Sequence, residues 1–313
     1  MIDALRLEGV SKQYGRGGKK ALAGLSCRFP AGSICGLVGP NGAGKTTAFS
    51  VVSGYLQPDQ GTVDILGQGS FSAYQLKGRL GVLPQDAALS DRHTPRELLM
   101  HLGRLQGLSA HAAGDETARI LEIVRLDDRV NNRISTLSHG MRRRVAVASA
   151  LVGSPELVLL DEPLAGLDPV QAHSLRDALK GLRGVQTLVI SSHNLAELER
   201  MCDWVVMMAD GRCLREGTLA EVTGQTSRVE WDVGSDVPLE RLRSALPGHT
   251  LSMDGGTLIQ EAPDGALDKS SIEIMRVLAD VGIAVREVRR GVSLEQRFID
   301  ETATDPKGDT PDR

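Results

Sequence analysis

Along the first two-thirds of the chain, short runs of consecutive apolar residues alternate with longer stretches of helical period. The runs at 33–38, 80–83, 157–160 and 187–191 hold hardly a polar position, so each predicts a strand covered on both faces, as in a parallel sheet flanked by helices. The stretches between them carry helix-start chemistry. Thr94-Pro95-Arg96-Glu97 is a capping box with proline at the first helical position. Ser138 precedes a helix whose apolar side is Val145, Ala146, Ala148, Ala150 and Leu151. Asp168-Pro169 starts another, and Asn194 with Glu197 caps a further one.

Residues 4–10 and 21–29 predict an antiparallel strand pair before the first apolar run. A strand at 61–67 follows, residues 86–152 read as almost all helix, and 203–209 with 212–216 form a closing strand pair. From about Glu221 the character changes. A linker at 224–227 leads to strands at 229–233 and 257–260, an amphipathic helix at 271–282, a strand at 284–288 and a last short helix opening at 293–296 and ending near Thr302. The predicted organisation is an α/β domain at 1–222 with a helical subdomain at about 86–152, then a small α+β domain at 223–303 and a disordered tail at 304–313. No internal repeat is visible.

Composition narrows the classes. A chain of 313 residues with 41% hydrophobic and 24% charged residues is ordinary globular protein. Net charge of −4, pI ≈ 6.0 and only 3% aromatics exclude a global nucleic-acid footprint, so no nucleic-acid partner is expected. The basic run Arg142-Arg143-Arg144 reads as a solvated helix face. The cysteines Cys27, Cys35, Cys202 and Cys213 lack the C-x-x-C spacing of zinc or redox sites and read as small core residues in a reducing compartment. No apolar run approaches the ~18 residues of a membrane span. The N-terminus has no signal-peptide core, so a cytoplasmic protein is expected, with any membrane role coming through a partner.

The chemistry centres on Gly39-Pro40-Asn41-Gly42-Ala43-Gly44-Lys45-Thr46-Thr47. This is a G-x-x-x-x-G-K-T phosphate loop, set between an apolar strand and a helix as that motif requires. Its glycines let backbone N–H groups turn toward one anion, at the positive end of the following helix. Lys45 supplies charge for β/γ-phosphates, and the Thr46 hydroxyl with a strand-end Asp161 holds Mg²⁺. Glu162, beside Asp161, is placed to orient or deprotonate water. Alternation along a strand would send these two acids to opposite faces, and so to different tasks. Gln85 and His193 end other apolar strands, within reach of a γ-phosphate or its metal. Ser138 and Gly140 form a second anion site at a helix N-terminus. Tyr14 is a candidate for stacking on a nucleotide base.

Together these residues resemble the ATP-binding subunit of ABC transporters, over roughly 1–220. Gly39 to Thr46 match the family's Walker A loop, Gln85 its Q-loop, and Leu137 to Met141 its signature. Asp161 and Glu162 match Walker B, Ala165 to Asp168 the D-loop, and His193 the switch histidine. Tyr14 falls where the family has its adenine-stacking aromatic. The resemblance implies a phosphate-loop NTPase of the ABC type: a mixed sheet core, an antiparallel β subdomain and a helical subdomain.

It further implies Glu162, His193, Lys45 and Gln85 in catalysis, Mg²⁺ on Thr46, Gln85 and Asp161, and ATP contacts from Tyr14, residues 39–47, Ser138, Gly140 and Asp168. The partners implied are a second copy in a head-to-tail dimer and integral membrane permease subunits docked at roughly 85–105, on the cytoplasmic face of the membrane. His139 and Met141 depart from the commonest signature, which has Gly and Gln there; Ser138 and Gly140 are kept. The tail, residues 285–288 followed by 293–299, looks like that of export-type subunits. An importer's ATPase and a soluble non-transport ATPase are the alternatives. A regulatory subunit that only binds ATP is disfavoured by Glu162 and His193.

Overall fold

The computed structural model describes residues 2–15, 17–225, 227–234, 237–262 and 267–304. Apart from Thr304, the tail expected at 304–313 lies outside them. The chain divides into two compact units, Met1–Glu216 and Gly217–Arg313.

In the first unit β1 (Asp3–Gln13) pairs antiparallel with β2 (Lys20–Pro30), the pair expected at 4–10 and 21–29. Next come β3 (Ile34–Val38), all of it buried, and α1 (Lys45–Val52). The strand β4 (Gln60–Ile65) returns to the other edge of β1, giving a small sheet ordered β2-β1-β4. After β5 (Leu80–Leu83) the helical insert begins. It holds α2 (Pro95–Gln106), α3 (Ala110–Ile123) and α4 (His139–Leu151), with short 3₁₀ turns at Asp127–Arg129 and Ile134–Thr136. The capping box at Thr94 is formed in full: its hydroxyl accepts from Glu97 N at 3.2 Å while Glu97 Oε2 accepts from Thr94 N at 2.9 Å. Residues 86–94, expected within a mostly helical stretch, hold no helix.

The chain then re-enters the core as β6 (Leu157–Asp161), α5 (Pro169–Lys180), β7 (Thr187–Ser192), the short α6 (Leu195–Glu199), β8 (Trp204–Ala209) and β9 (Arg212–Thr218). The large sheet is ordered β5-β6-β7-β3-β8-β9. Pairing is parallel from β5 through β8. Every residue of β3, β6 and β7 is buried, which is why these strands are apolar without alternation. Leu37, Leu157, Leu159, Val189 and Val206 pack in one core with Phe49 and Val52 of α1 and the inward residues of the small sheet. Each such side chain contributes about 1.5–3 kcal/mol by leaving water.

The register aligns the strand ends that matter. Asp161 lies beside Ser191, and Ser191 beside Leu37. The loops leaving β3, β6 and β7 therefore emerge side by side along one edge, where open α/β sheets bind ligands.

The second unit comprises α7 (Leu219–Thr223), β10 (Arg228–Asp232), α8 (Leu239–Ala245), β11 (Thr250–Asp254), β12 (Thr257–Glu261), α9 (Leu267–Asp280), β13 (Glu287–Arg290) and α10 (Leu294–Thr304). Its antiparallel sheet, ordered β11-β12-β10-β13, forms a core around Trp231, Leu258, Ile274 and Leu278. The strand expected at 284–288 sits at 287–290, and α8 and β11 were not foreseen. The expected boundary at 222/223 falls inside α7, whereas the units divide before it, between Glu216 and Gly217.

Among the described residues no helix is long and apolar enough to cross a membrane. The four cysteines are free, and Cys27, Cys35 and Cys202 are buried. Burial pushes all four thiols up, Cys213 to about 12, so none is a ready nucleophile.

Candidate functional site

At that shared strand edge lies a cleft of about 760 Å³, lined by Asn41, Gly42, Gly44, Lys45, Thr46 and Thr47 from the loop and the start of α1. Gln85, Asp161, Glu162 and His193, from the ends of three neighbouring strands, complete its polar wall.

The loop's shape follows from its glycines. Gly44 precedes α1 with φ +102°, and a Cβ there would sit 2.5 Å from the Ala21 carbonyl oxygen. Only glycine fits, and it lets the chain turn into α1 with that helix's free N–H groups facing the cleft. Lys45 is buried, and its Nζ donates to the carbonyls of Gly39 at 2.6 Å and Pro40 at 3.1 Å. An ammonium has three donors, so one remains for an anion. Burial pulls the Lys45 ammonium below its ordinary value, while Glu162 and Asp161 pull it back up. Ala43 holds the loop from below, its N–H on the Pro40 carbonyl and its carbonyl on Gly211 N.

Asp161 and Glu162 are separated by a bend. Asp161 is the last residue of β6, and Glu162, just outside it, has φ +52°, the left-handed region. The two acids thus diverge because the backbone turns over at Glu162, not through strand alternation as the sequence suggested. The buried Ser191 hydroxyl donates to Asp161 Oδ1 and accepts from Glu162 N at 3.0 Å. Glu162 Oε1 takes the backbone N–H of His193 at 3.0 Å and lies 2.9 Å from His193 Nδ1. Holding a carboxylate there assigns the proton of the neutral ring to Nδ1. Glu162 Oε2 takes no hydrogen bond from the described residues, and so faces the cleft with its acceptor capacity intact.

Other expected residues lie apart. Tyr14, 53% exposed, has its hydroxyl 3.4 Å from Thr47 Oγ1, which sets an open aromatic face beside the loop. Ser138 caps α4, accepting from Met141 N at 3.3 Å, and does not line the cleft. Gly140 is packed so closely that a Cβ would overlap the Gln171 amide. Asp168 caps α5, with Oδ1 accepting from Val170 N at 3.0 Å and Gln171 N at 2.9 Å.

Ser191 behind the cleft wall and Asp86 and Arg143 in its lining were missed, while His139 and Gly166, which also line it, were named only as parts of the signature and D-loop stretches. The reading of Arg142–Arg144 as one solvated face fails at Arg143. Its guanidinium is half-buried and donates to the carbonyls of Glu162 at 2.6 Å, Asp161 at 2.7 Å, Pro163 at 3.3 Å and Gln85 at 3.3 Å. Burial pulls it below its ordinary value, against the attractions of Asp161, Glu162 and Asp86.

The donor set suits Mg²⁺. Asp161 Oδ2 takes no hydrogen bond from the described residues, and the exposed Thr46 and Gln85 add neutral oxygens on the same cleft. No group of three or more metal-binding side chains exists among the described residues. Mg²⁺ needs only one or two carboxylates from a protein and takes its remaining ligands from water and substrate phosphates.

An anion cradle at a helix N-terminus, with a carboxylate free to accept a proton beside it, defines a phosphate-loop nucleotide hydrolase. Comparison with known proteins places it further. The ABC transporter family model matches residues 22–165. The chain is 38% identical over 231 residues to Nod factor export ATP-binding protein I of Burkholderia lata, covering 73% of each. It is 33% identical over 307 residues to daunorubicin resistance ATP-binding protein DrrA3 of Streptomyces coeruleorubidus, covering 96% of each. Among solved structures it resembles cbiO1 of Clostridium perfringens, part of an ABC transporter complex (TM-score 0.64, 26% identity, 71% of this chain and 91% of that one). It also resembles the ADP conformation of an ABC transporter's ATP-binding cassette (TM-score 0.61, 26% identity, 70% and 92%). The chain belongs to the ABC transporter family, as an ATP-binding, ATP-hydrolysing subunit of the export type.

Proposed function

We propose that two copies of this chain close head to tail on Mg-ATP, that hydrolysis reopens them, and that the movement drives export through a separate membrane permease. Tyr14 stacks on the base, residues 39–47 cradle the phosphates, and Lys45 gives its remaining N–H to a phosphate oxygen. Thr46, Asp161 and Gln85 would hold Mg²⁺, which when bound neutralises charge developing on the phosphates. Glu162 accepts a proton from the attacking water through Oε2, while His193 holds the carboxylate's other oxygen. The observation that carries this reading is the meeting of Lys45, Thr46, Asp161, Glu162 and His193 on one cleft.

Dimer closure is supported by Ser138 and Gly140, which lie outside the chain's own cleft and so suit the nucleotide of a second copy. Asp168 approaches across the same seam. A permease segment docks beside the loop that carries Gln85, near residues 85–105. The protein then works on the cytoplasmic face of the membrane. The two relatives are named for Nod factor export and daunorubicin resistance, which supports the export direction.

The test is Glu162→Gln in the full chain. Phosphate release should fall by ~10²–10⁴ with Mg-ATP affinity retained, and the variant should elute as a dimer with Mg-ATP. Turnover equal to the parent's removes Glu162 from its role, and a monomer at saturating Mg-ATP removes the dimer.

A further inference from the structure

The three adjacent arginines at the start of α4 have different fates. Arg142 reaches the Ser135 carbonyl at 2.7 Å and lies 3.6 Å from Asp91, both near the surface. Arg144 reaches the Arg125 carbonyl at 3.4 Å. Arg143 turns the other way and spreads its guanidinium over four carbonyl oxygens, of Gln85, Asp161, Glu162 and Pro163.

Those carbonyls have two things in common. Three belong to the bend at Glu162, where a non-glycine residue sits at φ +52°. Such a backbone persists only when its surroundings over-determine it. On the amide side Ser191 does so, accepting from Glu162 N through both its carbonyl at 3.2 Å and its hydroxyl at 3.0 Å. On the carbonyl side the Glu162 oxygen also takes the Ala165 N–H at 3.1 Å, but Arg143 is the one side chain that reaches all three oxygens, which repel one another unless a cation separates them. The fourth carbonyl belongs to Gln85, on the loop after β5. One planar fork thus spans helix α4, the end of β6 and the Gln85 loop, a task that five fixed donors perform and a flexible ammonium does not.

We infer that Arg143 is a positioning residue for hydrolysis: it holds the bend that aims the Glu162 carboxylate and fastens it to the Gln85 loop and the signature helix. This rests on the reading of Glu162 as the group that activates water. Although Arg143 reaches the cleft lining, it acts through the backbone it holds.

The experiment compares Arg143→Gln, Arg143→Lys, Glu162→Gln and the R143Q/E162Q double variant as full chains. Each is assayed for steady-state phosphate release, for equilibrium binding of a fluorescent ATP analogue with Mg²⁺, and for thermal melting. R143Q should lose about ten- to a hundredfold in kcat, the cost of a misplaced catalytic group, with KM and affinity within about threefold of the parent's. R143K should regain part of the loss. The double variant should be no slower than E162Q, because a group that only aims Glu162 has nothing left to aim. The inference is overturned if R143Q turns over at the parent's rate, if the double loss is the product of the single ones, or if binding and melting collapse in R143K as in R143Q. Full turnover by E162Q would overturn this inference together with the reading it rests on. Normal turnover by R143Q beside a silent E162Q would overturn this inference alone.

Discussion

Replacing Ser191 with alanine removes one oxygen from the floor of the site, and the structure sets what that costs. The amide of Glu162 is not orphaned, because the Ser191 carbonyl still accepts from it at 3.2 Å. Asp161 is the loser. At 2% exposure its Oδ1 gives up the hydroxyl that donates to it. A hydrogen bond to a charged group is worth about 1.5–3 kcal/mol, and the void left by one oxygen adds little. Nucleotide-free S191A should therefore be less stable by ~2 kcal/mol, a fall in Tm of roughly 4–8 °C for a unit of this length. Saturating Mg-ATP should narrow the gap, since a cation on Asp161 compensates its buried charge in the variant more than in the parent. Differential scanning fluorimetry with Mg-ATP, with ATP and EDTA, and without nucleotide reads all of this. An unchanged Tm without nucleotide, or a gap that Mg-ATP leaves intact, refutes the reasoning.

Gly166 has φ +74°, and a Cβ there would stand 2.8 Å from His139 Nε2, so Gly166→Ala should cost about 1–3 kcal/mol in urea unfolding. Adding His139→Gly should recover the part due to the clash, about 0.5 kcal/mol or more of coupling; strict additivity would show that the two residues do not press on each other. At the opposite end of the sheet Arg79 holds the Glu156 carboxyl below its ordinary value by a hydrogen bond of 2.5 Å. A lowered carboxyl stabilises the fold above its unfolded value, near pH 4.3, and loses that effect as pH falls through the folded value. Because the pair is exposed, Glu156→Gln should cost at most about 1 kcal/mol at pH 7, and the difference should fade below about pH 4. A difference that widens on acidification would refute the assignment.

The site's architecture was legible because parallel strands must be apolar throughout, and what interrupts them stands out. Lys45, Asp161, Glu162 and His193 each follow a run whose residues are all buried. Ser191 carried a signal that went unread, since a hydroxyl inside such a run has to find a partner at the same depth. Arg143 carried none. Three identical neighbours on a helix are told apart only by what faces each, and those partners lie in loops far away in sequence. In the second unit β11 buries only Leu251 and α8 only Leu242, so neither shows a period. The four residues of β13 are all exposed, and Val285, just before the strand, together with Val288 inside it drew the expected strand too early.

The bend at Glu162 sets two demands against each other. Glycine is the residue that would rest easily in that conformation, and it is also one that carries no carboxylate. Selecting this protein for thermal endurance alone would thus favour silencing it, since relieving the backbone there removes the chemistry. Durability gained anywhere else in the chain leaves that conflict in place.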